Sequence, residues 1–148
     1  MTDEEYMELA LLEAEKAAKA GEIPIGAVLV LRDAVLAAAH NEREKSSDPT
    51  AHAEVLAIRK GAERLSNWRL TDCTLYVTIE PCAMCAGAIM NARVGRLVYG
   101  APNVQAGGVD SCFHICDSHV MNHHVVRRSG VLARECQAVM DHFFAMHR

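Results

Sequence analysis

Two short segments hold the residues best suited to chemistry: Thr50-Ala51-His52-Ala53-Glu54 and Pro81-Cys82-Ala83-Met84-Cys85. One imidazole (His52) and two thiolates (Cys82, Cys85) make three ligands for a zinc ion. A tetrahedral zinc with three protein ligands keeps its fourth position for water, which distinguishes a reactive centre from a structural one. Two thiolates also neutralise the dication. Glu54 is not needed as a ligand, and an offset of two along a regular helix turns it by roughly 200°, away from the direction of His52. It reads instead as a proton carrier, a carboxylate that takes a proton from metal-activated water and hands it to a substrate. A structural zinc site needs a fourth ligand, and neither segment has one nearby.

Elements must bring these residues together. Thr50 is a good N-cap for the run Ala51 to Arg64, which would put His52 in the first helical turn. Glu80-Pro81 should end a buried strand over Thr74 to Ile79, with a helix from Cys82 to Ala92 following it. There the i, i+3 spacing places both sulfurs on one side of a turn, and the positive helix end together with the metal favours thiolates. Ahead of these, Thr2 and Glu5 have capping-box spacing, and Met7, Leu11, Ala14 and Ala18 form one apolar helical face that ends at Gly21. The runs Ile25 to Leu31 and Val35 to His40 suggest a hairpin around Arg32-Asp33, followed by a loop Asn41 to Pro49. A strand at Arg96 to Gly100, an irregular stretch, a short strand at Val125 to Arg128 and a helix from Val131 to about Phe144 complete the chain. Strand, helix, strand is a parallel crossover beside an antiparallel hairpin. The expected fold is therefore α/β: a three-layer α/β/α sandwich on a mixed five-stranded sheet, one domain over residues 1–148.

Half of the 148 residues are hydrophobic and no tract is of low complexity, so a compact globular protein is expected. No apolar run approaches the roughly 20 residues of a membrane span, and Thr2-Asp3-Glu4-Glu5 is acidic, so neither insertion nor secretion is indicated. Six cysteines, two of them assigned to metal, fit a reducing cytoplasm better than a disulfide scaffold. The net charge of −4 is unevenly spread, with residues 1–80 at −6 and residues 81–148 at +2. Such a distribution permits phosphate binding without arguing for it.

The order H-x-E, then P-C-x-x-C, is a known signature of zinc nucleobase deaminases. Ile23-Pro24-Ile25-Gly26-Ala27-Val28, Asp48 to Glu54, Thr74 to Ala88 and Met121-Asn122-His123 further resemble the bacterial tRNA-specific adenosine deaminases, from near Glu5 to about Phe144. The resemblance implies a cytidine-deaminase-like fold and a zinc-dependent homodimer that converts adenosine to inosine at the wobble position of a tRNA anticodon. It also implies that Asn41 hydrogen-bonds the target nucleoside, although a turn-forming asparagine is equally compatible with its loop. The residues expected against substrate are Asn41, Ala53, Asn103 and Phe144. One departure stands out. Where the family commonly has an acidic residue and, two positions on, a lysine, this chain has Asn103 and Gln105, followed by Ala106-Gly107-Gly108. Losing that lysine weakens electrostatic binding of phosphate. Two other readings therefore stand beside the first: a deaminase of a free base, nucleoside or other polynucleotide, and a noncatalytic RNA-binding subunit that keeps zinc for folding. Glu54 argues against the second, since a structural zinc has no use for it.

Other residues invite function less strongly. Cys112, His114, Cys116 and His119 have ligand types, but two cysteines at i, i+4 fit a short helix packed inward. Cys73 and Cys136 need no function. His123 and His124 suit loop capping, or phosphate contact when protonated. Arg127 and Arg128 suit either a solvated strand edge or phosphate. Of Phe143 and Phe144, one should anchor the last helix while the other borders the opening where flanking bases stack.

Overall fold

The computed structural model describes residues 1–117 and 122–147. His119 and Met121 lie outside the described residues. Its elements are α1 (Asp3–Lys19), β1 (Gly26–Leu31), β2 (Ala34–His40), α2 (Arg43–Ser46), α3 (Ala53–Leu65), β3 (Cys73–Ile79), α4 (Ala83–Asn91), β4 (Arg96–Ala101), a 3-10 turn (Ile115–Asp117), β5 (Val126–Arg128) and α5 (Ala133–Met146).

The strands form one sheet in the order β2-β1-β3-β4-β5, antiparallel from β2 to β3 and parallel from β3 to β5. This is the expected mixed five-stranded sheet. Because successive strand residues face opposite sides, the central strands feed two cores. Ala27, Leu29, Leu75, Val77, Leu97 and Tyr99 pack with Ala53, Ala57, Ala86 and Ile89 of α3 and α4. Val28, Val30, Tyr76 and Val98 point the other way and pack with Tyr6, Met7 and Ala10 of α1 and Cys136 of α5. Three layers result, with α3 and α4 on one face and α1 and α5 on the other.

Local chemistry sets the boundaries. The α1 capping box is complete: Glu5 N–H donates to Thr2 Oγ1 at 3.1 Å, and Thr2 N–H donates to Glu5 Oε1 at 3.0 Å. Arg32 and Asp33 both take positive φ, 47° and 61°, as a two-residue hairpin turn requires. The α3 boundary corrects the expected one. Thr50 is not its N-cap, because its N–H and hydroxyl both donate to Asp48 Oδ1 at 2.8 Å in a local turn. The cap is His52, in extended conformation. Cys82 likewise caps α4 instead of lying inside it.

Arg127 and Arg128 lie on the edge strand β5 and both make ion pairs. Arg127 pairs with Asp117, while Arg128 donates to Asp3 at 2.6 Å and to Glu4 at 3.2 Å. Asp3 also accepts from Arg96 at 2.7 and 2.8 Å and from the Tyr76 hydroxyl at 2.7 Å, tying the start of α1 to β3, β4 and β5.

Candidate active site

Two helix starts converge at the carboxyl end of β3. His52 and Cys82, as N-caps of α3 and α4, stand outside the regular helices and project from extended backbone, and Cys85 follows in the first turn of α4. His52 Nδ1 lies 3.6 Å from Cys82 Sγ and 3.5 Å from Cys85 Sγ, and all three donor atoms fall within 4.8 Å of one another. For a tetrahedral ion with ordinary metal–nitrogen and metal–sulfur lengths, the nitrogen–sulfur edge is roughly 3.6 Å. The group therefore fits a metal in both donor type and spacing. No other group of three such residues converges among the described residues.

Protonation in the bare site points the same way. The hydrogen bond from Cys85 and, against the effect of burial, the proximity of His52 pull the Cys82 thiol down to about 4. That negative neighbour, then burial and Glu54, push the Cys85 thiol far up, and the Cys82 hydrogen bond raises His52. A dication bound by both sulfurs favours the thiolate form of each.

Glu54 is 3% exposed and its Oε1 has no hydrogen-bond partner. Burial raises its carboxyl to about 7, partly opposed by the hydrogen bond from its own backbone N–H and then by His52 and Cys85. The rotation expected of an ideal helix does not apply between His52 and Glu54, because His52 precedes the helix in extended backbone. A buried carboxyl near neutrality, beside a metal-type donor set, is suited to carrying protons.

A cavity of about 510 Å³ opens over this group, a size that accommodates a nucleoside. Asn41, Asn103 and Phe144 line it, as do His52 and Cys82. Asn41 is 3% exposed and its Oδ1 accepts the Ala53 N–H at 2.8 Å, so it holds the α3 start in place and leaves its amide NH2 for the cavity. Ala53 is fully buried and that N–H is consumed; it is not among the lining residues. Asn103 spends its Oδ1 on the Ala106 N–H at 3.1 Å. Phe143 is the anchor, 7% exposed and stacked on His147, while Phe144 is 45% exposed at the opening.

Among the secondary candidates, Cys116 and His123 take structural roles. Cys116 is buried as expected, but Cys112 is exposed and directs its Sγ to the Val104 carbonyl, because only one 3-10 turn forms there. His123 Nε2 bonds the Val94 carbonyl at 2.7 Å, capping a loop.

Sequence reasoning overlooked three contributors. Arg43 of α2 lines the cavity rim. Glu22, 3% exposed, accepts the N–H groups of Glu44 and Lys45 at 3.1 and 2.8 Å and so fixes the segment bearing Arg43. Glu80, read only as a strand terminator, is buried beneath the opposite wall. The only available signal was an ionisable residue at the apolar end of a buried strand.

Comparison with known proteins agrees with this geometry. The family of MafB19-like deaminases matches residues 1–148. The tRNA-specific adenosine deaminase of Haemophilus influenzae is 49% identical over 148 residues, 99% of this chain and 85% of that protein. That of Bacillus subtilis is 44% identical over 142 residues, 96% of this chain and 88% of that protein. A structure solved in biochemical and structural studies of A-to-I editing by tRNA:A34 deaminases superposes with a TM-score of 0.89 at 43% identity, covering 91% of this chain and 98% of the other. By this identity over nearly its whole length and by the superposed fold, the chain belongs to the tRNA-specific adenosine deaminase family.

Proposed function

We propose that this protein hydrolyses adenosine to inosine at position 34 of a tRNA anticodon, with Zn²⁺ held by His52, Cys82 and Cys85. The observation that carries the reading is the buried Glu54 carboxyl, one oxygen of which has no partner, beside a three-residue donor set of which His52 and Cys82 line a nucleoside-sized cavity. A zinc ion bound there makes a nucleophile available from water near neutral pH. Glu54 takes one proton from the attacking water and delivers it to N1 as oxygen adds to C6. It then carries the second proton to the 6-amino group. The C6–N6 bond breaks, ammonia leaves, and C6=O with N1–H remains.

The adenine must leave its stack to enter, which costs less in an anticodon loop than in a duplex. The Asn41 NH2 is a donor to the nucleoside, Asn103 contributes its remaining NH2 from the far wall, and Phe144 offers a flanking base a face to stack on. Arg43, at the rim, meets the phosphodiester. A homodimer acting in the cytoplasm, each copy a single domain over 1–148, completes the reading. No helix among the described residues is long and apolar enough to cross a membrane.

Asn103 and Gln105 favour a second reading, deamination of a free base or nucleoside, because the wall they form lacks a fixed charge for RNA. Inosine formation by zinc-loaded protein on an adenosine-34 anticodon stem-loop, its deoxyadenosine counterpart, and free nucleosides and bases separates them. Turnover of the RNA loop alone supports the proposal. Turnover confined to a free base or nucleoside moves the same chemistry to a different substrate. No turnover of any of these by protein with its metal bound favours a noncatalytic subunit.

A further inference from the structure

The cavity wall carrying Asn103 to Ala106 is an arch, and a single carboxylate closes its base. Glu80 is 2% exposed and follows β3, two residues ahead of Cys82. Its Oε1 accepts the Asn103 N–H at 3.1 Å, where the arch begins. Oε2 accepts the N–H groups of Val109, Asp110 and Ser111 at 3.2, 2.8 and 3.0 Å, where it ends, and the Ser111 hydroxyl donates to Oε1. Glu80 forms no ion pair among the described residues, so its charge is met by converging N–H dipoles. A carboxylate accepts at both oxygens and at about four lone-pair sites, as five donors demand; a neutral amide would turn an NH2 toward N–H groups.

The backbone is shaped around this group. A Cβ on Gly107 would fall on the Glu80 carboxylate, and one on Gly108 would come within 2.8 Å of Ala83 Cα and the Cys82 carbonyl carbon. Gly108 N–H donates to the Pro81 carbonyl at 2.7 Å, and Gly107 bridges to Cys82. The arch is thus held against the strand end that delivers a metal-type ligand, while residues 103–106 face the cavity.

We infer that Glu80 is a positioning residue for substrate recognition: it preforms the 103–111 wall in the geometry that receives the substrate, without touching the reacting atoms. A wall ordered before binding spares the complex the entropy of ordering it afterwards, so its loss weakens binding more than it slows the chemical step. This rests on the deaminase reading above.

The test compares wild type with Glu80→Gln, Glu80→Asp and Ser111→Ala, each zinc-loaded, on the adenosine-34 stem-loop. Glu80→Gln raises KM by about tenfold or more, while kcat and bound zinc stay within about threefold of wild type. Glu80→Asp recovers part of the loss, and Ser111→Ala, which keeps the charge and removes one donor, shifts KM in the same direction by about two- to threefold. Loss of kcat or of zinc with KM unchanged, or no change in any parameter, overturns the inference. Should Glu80→Gln fail to fold, the Ser111→Ala result decides in the same terms.

Amide exchange without substrate gives a second readout. The N–H groups of Asn103, Val109, Asp110 and Ser111 are protected in wild type and exchange faster in Glu80→Gln, while β3 and β4 stay protected. Equal exchange in both proteins overturns the anchor. If wild type deaminates no RNA but the exchange contrast holds, the substrate reading fails and the anchor stands.

Discussion

At the scale of single residues, the site places opposing demands on one carboxyl. Glu54 is buried with an oxygen that bonds nothing, an arrangement that costs stability and suits a group that must gain and lose a proton. Glu54→Gln keeps the shape and removes the proton chemistry. Its kcat should fall by about 10²- to 10⁴-fold with zinc content unchanged, and its Tm should equal or exceed that of wild type, because a buried, incompletely paired acid has gone. Retained activity at full zinc loading would remove Glu54 from the mechanism. Asn41 shows how one side chain serves two ends: its Oδ1 holds the Ala53 N–H, and the residue also lines the cavity.

At the scale of elements, the site depends on where helices begin. Thr50 looked like the cap of α3, but Asp48 claims both its N–H and its hydroxyl, and the helix starts two residues later. Asp48→Ala, which loses both bonds, should therefore lower Tm and zinc affinity more than Thr50→Ala, which loses one; thermal melts with zinc titration check the order. On the opposite layer, Asp3 pins α1 to the sheet. The Arg96 hydrogen bond, opposed by burial and reinforced by Tyr76 and Arg128, holds its carboxyl far below the usual range. A carboxyl with a depressed folded-state pKa contributes stability that is present above its unfolded value, about 3.9, and is lost as pH falls below it. Asp3→Asn should thus melt below wild type at pH 7, and the gap should narrow as pH drops through about 4 toward 2. A gap independent of pH would assign the effect to packing.

At the scale of the whole molecule, the donor set joins the starts of α3 and α4, so a bound ion stabilises the fold as well as supplying chemistry. Chelation should lower Tm by roughly 10 °C or more, with recovery on adding zinc. An unchanged Tm in protein shown to be free of metal would mean that this face of the sandwich holds without it. The amino-acid sequence by itself indicated the layers, the mixed sheet and the convergence of His52, Cys82 and Cys85, because periodicity and ligand spacing are local properties of the chain. It also indicated that one of Phe143 and Phe144 faces the opening. Tertiary structure alone decided that His52 and Cys82 sit outside their helices, that Arg127 and Arg128 pair with acids, and that Ala53 is buried with its N–H bonded to Asn41. Above all, it converted Glu80 from a strand terminator into the base of a recognition wall. Its five donors come from Asn103 and from Val109 to Ser111, more than twenty residues away in sequence, and whether a carboxylate is buried and satisfied depends on what the fold brings around it.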